Sequence, residues 1–285
     1  MTLVDQFESV FRSADRRRYK YTWVDVREVL VVTDLEATEA QGFTDNLKRF
    51  LVELGEDVTW TTLENEDYGD VEALVAKVDE LQPDLIVSYR NVRYSTWKWP
   101  YSLGVYLNVL TRETDYPVMV MPNPHERPDM SWAKYETDTV MVLADHLTGD
   151  DRLVDYGARF TRPSGKLYLT HVEDDAVFDR YIEVISKLPS IDTDIAREDI
   201  RERLLKEPRD YVATCREVLA EQGHLTHEVI PVVVMGHRLG DYVKLIEDHD
   251  VDLLVFHTKE EDDLALHGKA YSLAVQIRDI PILML

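Results

Sequence analysis

Pro83-Asp84-Leu85-Ile86-Val87 is a turn-forming pair running into an unbroken apolar stretch, the form taken by a strand buried on both faces of a parallel sheet. The same form returns as Val251-Asp252-Leu253-Leu254-Val255. Working outward, Tyr101-Ser102-Leu103 is matched by Tyr271-Ser272-Leu273, and Gly69-Asp70 by Gly240-Asp241. Tyr116-Pro117-Val118-Met119-Val120-Met121 is matched by Ile280-Pro281-Ile282-Leu283-Met284-Leu285. The matches keep one order, so the chain reads as an internal repeat, which sets the architecture before any motif is weighed.

Around the first copy, the apolar run Val29–Thr33 ends in Asp34 and predicts a strand. Ala40, Phe43, Leu47, Phe50, Leu51 and Leu54 follow at helical spacing, stopped by Gly55. A strand over Asp57–Leu63, a helix through Val71, Leu74, Val75, Val78 and Leu81, the strand Leu85–Ser88, a helix over Ser102–Leu110 and the strand Pro117–Met121 complete a β-α-β-α-β-α-β unit over residues 28–121. Pro122, Pro124 and Pro128 mark residues 122–138 as a linker. The pattern restarts over 139–285 with five strands: Val140–Ala144 ending in Asp145, Leu167–Val172, Val229–Met235, Leu253–Phe256 and Ile280–Leu285. A long helical segment over 175–222 is expected to break near Pro189 and Pro208. Residues 1–27 are read as an amphipathic helix and lead-in, with Leu3, Val4, Phe7, Val10 and Phe11 on one stripe. Its cluster Arg16, Arg17, Arg18 and Lys20 is either a helix-dipole partner or an anion contact.

A strand ending in Asp, a later Asp-Leu-Ile-Val strand, a loop and helix, and a closing X-Pro-Val strand together resemble the universal stress protein family. Val234-Met235-Gly236-His237-Arg238 also looks like that family's strand and glycine turn. The resemblance implies two Rossmann-like parallel sheets in tandem, the first unit shortened by a strand and a helix. It also implies that Asp57–Leu63 corresponds to the family's third strand. Family members join subunits through the last strand, so the two closing strands are expected to pair within one chain as an intramolecular pseudo-dimer. Any homodimer would then use another surface.

In the resembled family a nucleotide is held by glycine, two residues, glycine, nine residues, then glycine and serine or threonine. Backbone N–H groups come close to phosphate only where no side chain intervenes. Here that spacing falls on Ser88, Asn91, Tyr101 and Ser102, and again on Thr258, Glu261, Tyr271 and Ser272, so both motifs are emptied of glycine. The second loop also carries Glu260, Asp262 and Asp263, which repel phosphate. The first loop carries Arg90, Arg93 and Lys98 among Tyr89, Tyr94, Trp97, Trp99 and Tyr101, a set that can hold an aromatic anion or pack the loop against a neighbour. By resemblance Asp34 and Asp145 stand where the family's aspartate lies beside the nucleotide. The residues alone equally allow a helix cap.

With 285 residues, 45% of them hydrophobic and 31% charged, the chain can bury two cores beneath a hydrated surface. A formal charge of −23 opposes nucleic acid and anionic lipid at long range. The lone Cys215 and the want of a long apolar run favour a reducing, cytoplasmic setting, with no disulfide within the chain and no membrane span. His224 with His227 and His146 with His171 have loose metal-like spacing that no cysteine or carboxylate completes, and there is no nucleophile elbow or Walker loop. The sequence therefore points to a non-catalytic stress-response or regulatory protein without a cofactor, acting on an unidentified protein partner. An adenine-nucleotide sensor taking ATP or AMP with Mg in the first unit, and a small-molecule binding module, stay open beside it.

Overall fold

The computed structural model describes residues 18–94, 101–134, 136–144, 147–188, 190–236, 239–257 and 268–285. The N-terminal stripe and the residues of the loops 95–100 and 258–267 lie outside them. The apolar runs form the expected strands: β1 (Glu28–Val32), β2 (Thr59–Leu63), β3 (Leu85–Tyr89) and β4 (Val118–Met121), then β5 (Thr139–Ala144), β6 (Lys166–Asp174), β7 (Glu228–Gly236), β8 (Leu253–Phe256) and β9 (Ile282–Met284). Between them lie α1 (Ala37–Phe50), α2 (Val71–Leu81), α3 (Val105–Glu113), α4 (Asp151–Phe160), α5 (Asp175–Ile185), α6 (Thr193–Glu221), α7 (Leu239–Asp248) and α8 (Gly268–Gln276).

All nine strands join one sheet in the order β2-β1-β3-β4-β9-β8-β5-β6-β7. Every neighbouring pair is parallel except β4 and β9, which run antiparallel with Val118 opposite Met284, Met119 opposite Leu283 and Val120 opposite Ile282. Met119 and Leu283 hold corresponding places in the sequence repeat, so the seam is symmetric about them. Each closing strand covers an edge the other would leave bare. Val118–Met121 and Ile282–Met284 are all buried.

The repeated aspartates have a structural task. Asp84 Oδ2 accepts from the N–H groups of Arg27 (2.8 Å) and Glu28 (3.0 Å), and Asp252 Oδ2 accepts from Thr139 (2.9 Å). Each thus fastens the start of its unit's first strand to the strand beside it, and burial raises the Asp252 carboxyl to about 6. Asp70, of the repeated Gly-Asp pair, caps α2 through the Ala73 N–H at 2.8 Å. Gly157 in α4 lets that helix close on the sheet, since a Cβ there would lie 2.4 Å from Val142 Cγ2.

Two expectations change. In place, β2 lies directly against β1, where β6 lies against β5, and forms an edge rather than taking the outer place of β7. With a strand and a helix missing, the next strand can only close up onto β1. No break occurs at Pro208: α6 runs through it, because Leu205, Pro208, Tyr211, Val212, Cys215 and Leu219 form one buried stripe whose burial outweighs a proline cost of about 3 kcal/mol. Part of the connection over residues 122–138 is buried. Trp132 is buried edge-on against Phe43 and Phe50 of α1, and Asn123 and Thr137 are buried as well.

Residues 18–27 cross to the other half of the sheet. The Tyr19 hydroxyl donates to Asp155 Oδ1 (2.5 Å), and the backbone N–H groups of Thr22 and Tyr19 donate to Asp155 (3.2 Å) and to Thr214 Oγ1 (3.1 Å). Arg159 stacks on Trp23 and donates to the Val24 carbonyl at 3.1 Å. Among the described residues no helix is long and apolar enough to cross a membrane.

Candidate functional site

A parallel sheet opens its crevice at the carboxyl ends of its strands, and the first-unit candidates gather there, past β1 and β3. Asp34 follows β1. Its carboxylate accepts from the Tyr89 hydroxyl, from the Arg93 N–H (2.6 Å) and from the His125 ring, whose Nε2 lies 3.1 Å away. Asp34 is not a helix cap, since α1 starts at an N-cap Glu36 without a side-chain bond. The Tyr89 hydroxyl also meets Thr33 Oγ1 (2.9 Å) and accepts from the Asp34 N–H (3.0 Å). Burial, then the bond to Asp34, pushes the Tyr89 phenol upward.

The two arginines expected to receive an anion are engaged elsewhere. Arg90 is 5% exposed and reaches across the seam, donating to the carbonyls of Val275 (2.9 Å), Ala274 and Ile277 at the end of α8. These are the carbonyls a helix terminus leaves without internal partners, and a cation is favoured there. Burial, with Arg278 nearby, lowers the Arg90 guanidinium to about 10, so it stays charged at neutral pH. Arg93 folds the other way, donating to the carbonyls of Gly69 (2.7 Å), Asn65 and Tyr68, with its guanidinium 4.3 Å from the Tyr68 ring centroid. Its Nε, also buried, has no hydrogen-bond partner among the described residues.

The motif positions are filled in the same manner. Ser88 is buried and donates to the Val32 carbonyl at 2.9 Å. Asn91 and Arg93 have φ of +55° and +65°, so this loop keeps the left-handed backbone that favours glycine while carrying side chains. Asn91 is buried, its N–H donates to the Leu103 carbonyl (2.8 Å), and its Oδ1 has no hydrogen-bond partner. Gly104, at φ +91°, abuts it so closely that a Cβ would lie 2.8 Å from Asn91 Cα. Ser102 Oγ accepts from the Gly104 N–H at 3.0 Å, and Tyr101 is exposed.

In the second unit Asp145, Thr258 and Glu261 lie outside the described residues, as do Glu260, Asp262 and Asp263, and Lys98, Trp97 and Trp99 of the first loop. Ser272 is exposed on α8. What is described there is a pair sequence reasoning missed. His257 follows β8 as Tyr89 closes β3, and its Nε2 lies 2.8 Å from Oδ2 of Asp150, which also caps α4. Only the repeat alignment signals His257. Nothing in the sequence signals His125, which lies in the proline-rich connection and reaches Asp34 through the fold.

No family profile matches the chain, and no curated protein matches it. Among solved structures, a universal stress protein from Archaeoglobus fulgidus DSM 4304 is similar at 11% identity and a TM-score of 0.49, covering 92% of this chain and 97% of that one. A protein of unknown function from Pseudomonas aeruginosa PAO1 is similar at 14% identity and 0.48, covering 91% and 92%. A candidate universal stress protein from Pseudomonas aeruginosa UCBPP-PA14 is similar at 15% identity and 0.48, covering 91% and 93%. At these values the likeness is one of overall shape.

Proposed function

We propose that this chain is a non-catalytic regulatory protein of the universal-stress-protein type, acting through protein contacts, with its first-unit crevice closed by its own side chains. One observation carries the reading: both described arginines of the crevice loop are bonded to backbone carbonyls, Arg90 at the end of α8 and Arg93, through its two terminal nitrogens, at residues 65–69. Releasing either cation to a phosphate would leave carbonyls unpartnered, each at about 1–3 kcal/mol. Asp34, fastened to Tyr89, Arg93 and His125, adds a negative charge to the same place. Calorimetric titration of the whole chain with ATP and magnesium, and with AMP, is expected to give no binding heat. Micromolar binding of either nucleotide overturns the proposal.

A second reading, an adenine-nucleotide sensor, draws on Asn91. Its buried Oδ1 lacks a partner and lies close to Gly104, where α3 begins without a side-chain cap. A bound water satisfies that oxygen as well as a ligand does. Mass spectrometry of the denatured protein separates the two: a stoichiometric nucleotide supports the sensor, and its absence supports the closed crevice.

A further inference from the structure

The surface carries one apolar stripe that neither the sheet nor the crevice explains. Tyr181 and Val184 of α5, Leu188 and Ile191 of the turn, and Ile195 of α6 are 62%, 62%, 47%, 43% and 62% exposed. On α5 the opposite face is the packed one, where Phe178 and Ile182 are buried. Tyr181 and Val184 stand three apart on α5, Leu188 and Ile191 follow in the turn between the helices, and Ile195 lies in the first turn of α6, so the five gather about the tip of a helical hairpin. The first buried residue of α6 is Leu205, so its first twelve residues, roughly 18 Å of helix, are held without core contacts of their own.

We propose that this stripe is the self-association surface of the protein, and that two copies meet through it about a twofold axis. Two features favour a second copy. First, five side chains exposed to this degree present on the order of 500 Å² of apolar surface. A homodimer of standard size buries about 800 Å² per partner, about 65% of it apolar, so the stripe supplies the apolar share of one side. Second, the charges beside it have both signs and form exposed pairs, Asp179 with Arg197 (3.0 Å) and Glu183 with Lys187 (3.1 Å). A mixed border of this kind is complementary to itself under a twofold, whereas a border of one sign would repel its copy. The net charge of −23 on each chain opposes approach at long range, and salt screens that repulsion. Association through the stripe therefore tightens with salt, while association through ion pairs weakens. The inference does not depend on the state of the crevice, and nucleotide titration leaves it untouched.

Sedimentation of the whole chain in about 0.15 M and about 1 M salt tests it. The expected result is a reversible monomer–dimer equilibrium, the dimer having twice the 33.1 kDa chain mass and tightening in the higher salt. Leu188 lies midway along the stripe, near the axis. Leu188→Glu and Leu188→Lys are each expected to weaken the dimer by about tenfold or more, and an equimolar mixture of the two variants to restore it, with thermal midpoints unchanged because the site is exposed. A parent that stays monomeric at about 200 µM in high salt overturns the proposal. So does a dimer that neither variant weakens, which would place the contact on residues 1–17, the Tyr94 and Tyr101 loop or another surface.

Discussion

Asp34 and Asp155 each accept from a tyrosine hydroxyl and a backbone N–H: Tyr89 and Arg93 for the first, Tyr19 and Thr22 for the second. Asp34 has a third partner in His125, and its side chain keeps 15% exposure at the mouth of the crevice. Asp155 is 4% exposed, and the carboxylates of Asp151 and Asp150 lie near it. Burial, opposed by the bonds from Tyr19 and Thr22, leaves the Asp155 carboxyl raised to about 6. The same residue type in nearly the same bonding thus does two things. Asp34 fastens a strand end, a loop and the connection between units to one another. Asp155 pins the lead-in across the other half of the sheet, and carries its charge there at a cost.

The largest expected effect lies at the crevice, on the arginine that leaves it. Arg90→Ala would strand the Ala274 and Ile277 carbonyls, Val275 keeping a bond from Arg278 Nε at 3.2 Å. It is expected to cost about 3–4 kcal/mol in urea unfolding, against about 1–2 kcal/mol for Arg93→Ala, whose carbonyl partners lie on a largely exposed turn. A greater loss for Arg93 would show that Arg90 does not hold the seam.

Next comes the pH dependence of Asp155. Its carboxyl is raised above the unfolded value of about 3.9, so the folded state binds the proton more tightly, and the stability this confers is fully present below pH 4 and lost as pH rises through about 6. The loss is expected to be about 3 kcal/mol. Asp155→Asn keeps an oxygen for Tyr19 and Thr22 without the charge, and should flatten the slope between pH 4 and 6, leaving the part due to Asp252, which shifts the same way. An unchanged slope in urea midpoints across that range would remove Asp155 from the account.

The smallest effect belongs to Asp34→Asn, which keeps the size of the side chain and one acceptor and loses the charge facing a half-exposed His125. About 1 kcal/mol is expected. A loss above about 3 kcal/mol would mean that Asp34 is as costly to disturb as a fully buried charge, and the contrast with Asp155 would narrow.

Much of the strand order was legible because two physical signals coincide in it. Buried parallel strands are apolar throughout, as in Leu85–Ser88 and Leu253–Phe256, and an aspartate before each is required to anchor the neighbouring first strand. The pairing of the two closing strands was what the resemblance implied, and their unpaired edges required a cover of some kind. The place of β2 beside β1 and the passage of α6 through Pro208 were not legible. The first depends on which strand is missing between them, and the second on a burial stripe that only the packed helix reveals.

By itself, the sequence determined the periodicity, the repeat and the loss of glycine from both loops, because these are properties of consecutive residues and of backbone freedom at single positions. Only the tertiary structure decided where the charges of the crevice go. Arg90 and Arg93 are three positions apart, yet one reaches the end of α8 and the other the turn at residues 65–69. A long cation binds the carbonyls that the fold leaves unsatisfied, and those carbonyls lie far from it along the chain.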